Sequence, residues 1–319
     1  MAIIAGMDEA GYGPVLGPMI VTVVAFDVPD EKAHCSLWDL LKDGVSGDLK
    51  NRKHRLCIRD SKKLYNARIG LKLLEEAVLS FLWSKSLQIF SFRQLLDTLA
   101  CTPTEILTRY PWYAGKDYAL PVTSNIPSII NYTDLIRCVL KGNNVQFSYV
   151  NSSVLTVLEF NEQIRLFGNK STVLFNSCSK LISGLWNVCG GNIHLTIDKQ
   201  GGRSNYSHLL QKHFPSKEIK ILNESGKIST YRVLDANKTM ELSFAEKGED
   251  KSMAAALASI FSKYIRELFM LLENQYWLQI MPELKPTAGY YEDAQRFLSQ
   301  TALIRGKRAI HDDLLIRIK

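Results

Sequence analysis

Apolar residues follow strand and helix periods in alternation along the chain. Residues 2–7 and 19–26 are short apolar runs on either side of a bend rich in glycine and proline. They predict two β-strands, and the second run is so uniformly apolar that it should be buried on both faces. Residues 71–83 repeat apolar positions at helical spacing and predict a helix, after which residues 86–92 (SLQIFSF) predict a further strand.

The second half of the chain alternates in the same way. Residues 169–186 predict a helix, residues 192–198 (NIHLTID) a strand, and residues 204–214 a short helix. Further strands are predicted over residues 218–225 and, as a pair turning at DANK, within residues 231–244. The longest helical pattern runs from Asp250 to about Ile280. This order of elements indicates an α/β fold.

Residues 103–127 interrupt the alternation. They contain four of the ten prolines, together with Trp112, Tyr113 and Tyr118, and therefore predict a loop or insertion instead of regular structure. Two interpretations of this segment are open. It is either an insertion packed against the rest of the protein, or a lid or clamp whose aromatic side chains stack on nucleic acid.

Composition narrows the class of protein. With 319 residues, 46% of them hydrophobic, the chain can bury a full core, and it has no apolar run of the roughly eighteen residues that a membrane span needs. The six cysteines contain no C-x-x-C pair, so the sequence indicates neither a zinc site nor a disulfide framework. We expect an intracellular, cytoplasmic protein without a membrane partner. The formal charge of +7 fits a polyanionic partner.

Asp8 and Glu9 begin the stretch DEAGYGP, directly after the first predicted strand. Three nearby glycines, Gly11, Gly13 and Gly17, superficially suggest a dinucleotide-binding loop. That loop requires the spacing G-x-G-x-x-G at the start of a helix, whereas here the third glycine is one residue late, prolines intervene and a strand follows. The sequence therefore does not support a nucleotide-binding loop.

Metal binding is the second interpretation of the adjacent carboxylates. Like charges buried at close range raise each other's pKa, and a divalent cation removes that penalty. The alternative is an exposed turn, or an ion pair with lysine or arginine. Two further acids favour the metal, because Asp198 closes the strand at residues 192–198 and Glu249 precedes the longest helix.

Three motifs together resemble the ribonuclease HII family, the type 2 ribonucleases H, in a divergent form with an insertion. They are DEAGYGPVLGP, RDSKKL and KGEDKSMAAALASIFSKYIRE, and the spacing within the third is the closest match. The resemblance implies a ribonuclease H-like fold with a mixed central β-sheet flanked by helices. It implies a single catalytic domain over residues 1–319, with an insertion or subdomain at 95–150 and a C-terminal helical extension at 281–319.

The same resemblance implies four metal ligands, Asp8, Glu9, Asp198 and Glu249, with Asp250 as the alternative fourth acid. They would hold two Mg²⁺ or Mn²⁺ ions and hydrolyse a phosphodiester to leave 3′-hydroxyl and 5′-phosphate ends. No covalent intermediate is required.

Basic residues near these motifs are expected to bind substrate. The resemblance implies that Lys62 and Lys63 meet phosphates. Ser259, Lys263 and Arg266 lie at helical spacing, so they share one face of the predicted helix and could contact a nucleic-acid backbone. The alternative interpretation of that face is an ordinary solvated surface.

Two further motif positions concern the recognition of ribose. Gly11, Tyr12 and Gly13 stand where the family has GRG, so the glycines allow main-chain groups to approach a 2′-hydroxyl but the guanidinium is missing. Tyr290, in TAGYYEDAQRFL, matches the tyrosine that stacks near the ribose in the family. A core aromatic is the alternative interpretation, and Tyr291 is the fallback.

The sequence thus predicts a metal-dependent endonuclease that cleaves the RNA strand of RNA/DNA hybrids, with nucleic acid as its partner. Two alternatives stay open: a nucleic-acid-binding protein of the same fold without catalysis, and a nuclease that acts on DNA junctions. Protein partners are not indicated, since residues 305–319 contain no evident sliding-clamp motif. They predict a final helix and a possible phosphate contact.

Overall fold

The computed structural model describes residues 1–66, 69–100, 103–235 and 238–318. Its centre is a seven-stranded mixed sheet in the order β5-β2-β1-β6-β9-β8-β7. Strand β1 pairs antiparallel with β2 and parallel with β6, and β6 pairs parallel with β9. The strands of this sheet are β1 (Ala2–Ala10), β2 (Met19–Val28), β5 (Gln146–Leu155), β6 (Asn192–Asp198), β7 (Glu218–Glu224), β8 (Ile228–Asp235) and β9 (Lys238–Ala245).

Helices cover both faces of the sheet, which confirms the expected fold class of a mixed central β-sheet flanked by helices. A separate two-residue ladder joins β3 (Val45–Ser46) to β4 (Leu56–Cys57). The helices are α1 (Leu37–Leu40), α2 (Ser61–Leu64), α3 (Lys72–Ser84), α4 (Phe92–Leu99), α5 (Ile126–Gly142), α6 (Val157–Phe167), α7 (Lys170–Val188), α8 (Ser207–His213), α9 (Gly248–Lys251), α10 (Met253–Ile280), α11 (Tyr291–Lys307) and α12 (Asp312–Leu315). Within the described ranges, no helix is long and apolar enough to cross a membrane.

Helix α10 fixes the geometry of one face of the sheet. It crosses β1 at Gly6, where an added Cβ would lie 2.0 Å from the backbone nitrogen of Ala255. Only glycine allows the helix to approach the strand so closely. Because side chains alternate along a strand, Ile3, Ala5 and Met7 point to the opposite face, where they join the core beneath α7 and α8.

Several predicted elements are confirmed, including β1, β2, the helix over residues 71–83, and the strand that ends at Asp198. The strand predicted at residues 86–92 is wrong. Ser91 forms an isolated bridge with Ala119 and caps α4, which begins at Phe92, since its hydroxyl accepts from the Gln94 amide. The predicted turn at DANK (residues 235–238) includes residues 236 and 237, which lie outside the described residues. The long helix is two helices, because Ser252 is extended and caps α10.

The proline-rich segment packs against α10. Trp112 and Tyr113 are buried, with Tyr113 edge-on to Phe269 and Trp112 beside Trp277. The clamp interpretation is therefore wrong for these two side chains, because burial leaves no ring face for a base. Of the predicted insertion at 95–150, the residues from Gln146 onward belong to an edge strand of the main sheet.

Candidate active site

Three carboxylates meet at one edge of the central sheet. Asp8 and Glu9 lie near the end of β1, and Asp198 is the last residue of its parallel neighbour β6. The carboxyl ends of parallel strands lie at the same edge, which brings together residues 190 positions apart in the chain. One carboxylate oxygen from each of the three residues lies within 4.8 Å of the other two.

Burial and mutual repulsion perturb this group of acids. Burial raises the pKa of Asp8 well above its usual range, and the charges of Glu9 and Asp198 raise it further. Burial raises the pKa of Glu9 to about 7, with Asp198 adding to the shift and Lys62 opposing it. The pKa of Asp198 is also raised by burial, against the hydrogen bond from the Gly248 amide at 2.9 Å. Oxygen donors with excess negative charge at one point suit a divalent cation such as Mg²⁺ or Mn²⁺.

Glu249 lies directly beside this group. It follows Gly248, whose amide donates to Asp198 at 2.9 Å, and burial and the charge of Asp198 raise the pKa of Glu249. Its Oε2 atom is buried, with no hydrogen-bond partner among the described residues. Asp250 instead is exposed and pairs with Lys63 at 3.2 Å. The contacts therefore place Glu249, and not Asp250, next to Asp198, although Glu249 is not one of the three acids whose oxygens meet within 4.8 Å.

A cavity of about 290 Å³ opens beside the acids. It brings together most of the residues predicted from the sequence motifs. Its lining includes Asp8, Glu9, Gly11, Tyr12, Gly13, Lys62, Ser259, Lys263, Arg266 and Tyr290. Polar, basic and aromatic side chains thus surround one acidic edge, and the basic and polar groups are of the kinds that contact a nucleic-acid backbone.

The RDSKKL segment is attached to α10 beside the cavity. Asp60 caps α2 by accepting from the Lys62 amide, and the hydroxyls of Ser61 and Ser259 lie 2.9 Å apart. The Ser259 hydroxyl opposes the effect of burial on the pKa of Asp8. Lys62 has an exposed side chain whose charge acts on Asp8, Asp198 and Glu249. This lysine is therefore placed between the acids and the solvent.

The other predicted cations occupy different environments. Lys263 pairs with Glu267 at 2.6 Å and lies over the Tyr65 ring. Arg266 is only 1% exposed, and its guanidinium donates to the carbonyl oxygens of Leu16 at 3.3 Å and Ala288 at 3.1 Å. The helix face is therefore not an ordinary solvated surface.

Solvent exposure and the cavity lining distinguish Tyr290 from Tyr291. Tyr290 lines the cavity and is 53% exposed, so it is not a core aromatic, whereas Tyr291 is exposed but not part of the cavity lining. Tyr12 lies beneath Lys170, whose Nζ atom is 5.3 Å from the ring centroid. Sequence reasoning missed Lys170, because α7 begins far along the chain from Tyr12.

The chain shares sequence similarity with a known ribonuclease. No protein-family model matches the chain. The chain is 25% identical over 153 residues to ribonuclease HII of Gluconobacter oxydans, a match that covers 48% of this chain and 64% of that protein. The chain thus spans less than two thirds of this relative. The match confirms the resemblance to ribonuclease HII that the motifs predict.

Three solved structures are similar to the chain at low sequence identity. The ribonuclease HII in the PCNA complex from Archaeoglobus fulgidus has a TM-score of 0.47 at 14% identity, covering 99% of this chain and 94% of that chain. Ribonuclease H2 from Pyrococcus horikoshii has a TM-score of 0.45 at 14% identity, with coverage of 98% and 92%. Bst-RNase HIII in complex with Mn²⁺ has a TM-score of 0.42 at 13% identity, with coverage of 99% and 66%.

Proposed function

We propose that this protein is a metal-dependent, ribonuclease H-type endonuclease that hydrolyses the RNA strand of RNA/DNA hybrids to give 5′-phosphate and 3′-hydroxyl ends. One observation carries the proposal. Asp8, Glu9 and Asp198 converge within 4.8 Å at the edge of a cavity that also contains lysines and a glycine-rich loop. The sequence match to a ribonuclease HII supports the choice of reaction.

The donor set fits divalent cations. Asp8, Glu9, Asp198 and Glu249 would hold two Mg²⁺ or Mn²⁺ ions, because these hard cations prefer carboxylate oxygens and the buried acids carry more negative charge than the site neutralises. When bound, such ions supply Lewis acidity and orient a phosphodiester for in-line hydrolysis. The unpartnered Oε2 atom of Glu249 offers one further oxygen to this site.

The remaining residues bind and orient the substrate. Lys62, exposed beside the acids, would bind a phosphate of the RNA strand, and Ser259, which lines the same cavity, would contact the backbone of that strand. The main chain at Gly11 and Gly13 would approach a ribose 2′-hydroxyl, which distinguishes RNA from DNA. Tyr290 would stack at the rim of the cavity.

A cleavage assay tests the proposal. Purified protein is incubated with Mg²⁺ or Mn²⁺ and three labelled duplexes: an RNA/DNA hybrid, DNA with one embedded ribonucleotide, and plain DNA. We expect cleavage of the hybrid, and none by Asp8→Asn. Asp43→Asn, which changes an exposed aspartate away from the site, is the matched control and should retain activity.

The other outcomes decide between the alternatives. Binding of the hybrid without cleavage by any metal-loaded form would replace the proposal with a non-catalytic binding protein. Cleavage of plain DNA or of DNA junctions in preference to the hybrid would change the substrate class. Full activity of Asp8→Asn would mean that the assigned centre is wrong.

A further inference from the structure

Residues 311–318 lie against the glycine-rich loop that borders the active-site cavity. The amide of Arg317 donates to the carbonyl of Val15 at 2.9 Å, and Ile316 forms an antiparallel bridge with Leu16. The loop itself has an unusual backbone, since Gly11 and Gly17 have φ angles of +88° and +76°. A loop in these conformations needs external contacts to keep a single shape.

The side chain of Arg317 joins the two ends of this loop. Its Nε atom donates to the carbonyl of Gly17 at 2.8 Å, and its two terminal nitrogens donate to the carbonyls of Gly17 and Gly11. The side chain is only 3% exposed. A planar guanidinium can bind both carbonyls at once because its donors diverge in one plane, whereas a lysine ammonium acts as a single compact charge.

Neighbouring residues hold the segment and the loop from both sides. Asn161, in α6, donates to the carbonyl of Ile316 and accepts from the amide of Ile318, both at 2.8 Å. On the inner side, Arg266 donates to the carbonyl of Leu16, and the Val15 amide donates to the carbonyl of Gly289 at 2.7 Å. The loop therefore lies between the C-terminal segment and α10.

Hydrogen bonds compensate the burial of the Arg317 charge. Burial lowers the pKa of Arg317 to about 9, with the nearby Arg266 charge adding to the shift, so the guanidinium is still largely protonated at neutral pH. Burying a charge is costly unless its donors are hydrogen-bonded. Here the nitrogens of Arg317 meet main-chain carbonyls of the loop, which makes the geometry of the loop depend on this side chain.

We propose that Arg317 is a positioning residue for substrate recognition: by joining the carbonyls of Gly11 and Gly17, it fixes the main chain that meets the ribose of the RNA strand. The inference rests on the proposed function. Arg317 is absent from the cavity lining and contacts none of the four acids, so it acts on the substrate through the loop.

The test compares Arg317→Lys and Arg317→Met with the wild type in two measurements. The first is hydrogen exchange of the amides of residues 11–18, and the second is steady-state cleavage of the hybrid. Asn161→Ala weakens the same segment from its far side and serves as a second variant. Arg109→Met, which changes an exposed arginine outside the C-terminal segment, is the matched control.

We expect faster exchange confined to residues 11–18 and the 311–318 segment, and a KM for the hybrid raised about tenfold with kcat nearly unchanged, as expected for losing a buried charged hydrogen bond. Arg317→Lys should lose less than Arg317→Met. Arg109→Met should match the wild type in both measurements.

Unchanged exchange and KM in both Arg317 variants would overturn the inference. Exchange that rises uniformly along the chain, with kcat and KM altered in proportion to unfolding, would also overturn it, because it indicates a purely structural role. If the wild type cleaves no duplex, the proposed function fails. The exchange measurement then decides alone whether Arg317 orders the loop.

Discussion

Two clusters of charged side chains lie near α10, and they differ in the balance of their charges. The acidic cluster consists of Asp8, Glu9, Asp198 and Glu249, all of one sign. The mixed cluster consists of Arg266, Glu267, Glu273 and Arg317. In the mixed cluster the arginines donate to loop carbonyls and Arg266 also lies 3.4 Å from Glu267.

This difference separates a site built for a ligand from a group that stabilises the protein. Neighbouring acids raise the pKa values of Asp8, Glu9 and Glu249 beyond the effect of burial, whereas the charge of Arg266 opposes the effect of burial on the pKa of Glu273. A protein gains nothing in stability from gathering like charges, so such a cluster is typical of a site that binds a cation. The mixed cluster contains its own counter-charges and acceptors, and we therefore assign it the role of holding the glycine-rich loop.

The largest effect is expected from the variants that decide which residue is the fourth acid of the acidic cluster. Glu249→Gln should lower kcat/KM on the hybrid by more than about a hundredfold, because even residues that only support metal ligands are worth about ten- to a hundredfold. Asp250→Asn, its adjacent control, should stay within about threefold, since Asp250 is exposed and paired with Lys63. The measurement is steady-state cleavage with Mg²⁺ and with Mn²⁺. The reverse order of effects would assign the fourth position to Asp250.

The second prediction uses thermal stability to separate the two clusters. Mn²⁺ at about a hundred times its Kd should stabilise the wild type by about 2.7 kcal/mol, since it binds the folded state. Asp8→Asn should lose most of this gain because one ligand charge is removed. Glu273→Gln should retain it, because Glu273 lies in the mixed cluster. An equal metal response in Asp8→Asn and the wild type would contradict the assignment of the acidic cluster.

The stability of the protein should depend on pH through Glu273. Burial raises the pKa of Glu273 from its usual 4.5 to about 7, against the opposing charge of Arg266. The folded state therefore binds a proton that the unfolded state releases, so this contribution to stability is fully present below about pH 4.5 and is lost as the pH rises through about 7. Glu273→Gln should make the stability of the protein less dependent on pH across this window.

Urea unfolding between about pH 5 and pH 8 measures this effect. Saturating Mn²⁺ is included so that the acids of the acidic cluster stay ionised and contribute little to the slope. Glu283→Gln, an exposed position just beyond α10, is the control and should follow the wild type. A Glu273→Gln profile as steep as that of the wild type would show that Glu273 does not titrate in this range.

Much of the acidic cluster could be predicted because its acids lie at the ends of recognisable strand patterns. Strand β1 begins as a short apolar run and β6 alternates apolar and polar residues, and an acid at or near the end of each is visible in the sequence. Strand β5 was missed because its sequence, QFSYVNSSVL, is polar at positions that are buried. Its Ser152 hydroxyl lies 2.9 Å from that of Thr22 on β2, so a cross-strand pair satisfies the polarity.

The mixed cluster could not be predicted, because its contacts join residues that are far apart in the chain. Arg317 binds the carbonyl of Gly11, 306 residues earlier in the chain, and neither residue carries a local sign of the other. The segment at 305–319 predicts a helix with a phosphate contact, whereas α12 covers only Asp312–Leu315 and Arg317 is buried. Contacts to main-chain carbonyls leave no pattern in the sequence, because every residue has a carbonyl.

The smallest expected effect concerns Tyr12, which stands where the related family has arginine. Tyr12→Arg should raise cleavage at a single embedded ribonucleotide, relative to the hybrid, by about threefold, because a guanidinium adds donors for a phosphate beside the glycine-rich loop. The gain should be small because Lys170 already lies 5.3 Å from the Tyr12 ring and would repel the new charge. Combining Tyr12→Arg with Lys170→Met should enlarge it. Tyr12→Phe keeps the ring for Lys170 and should leave the ratio unchanged, so a ratio altered as much by Phe as by Arg would mean that the tyrosine hydroxyl, and not the missing guanidinium, sets the preference.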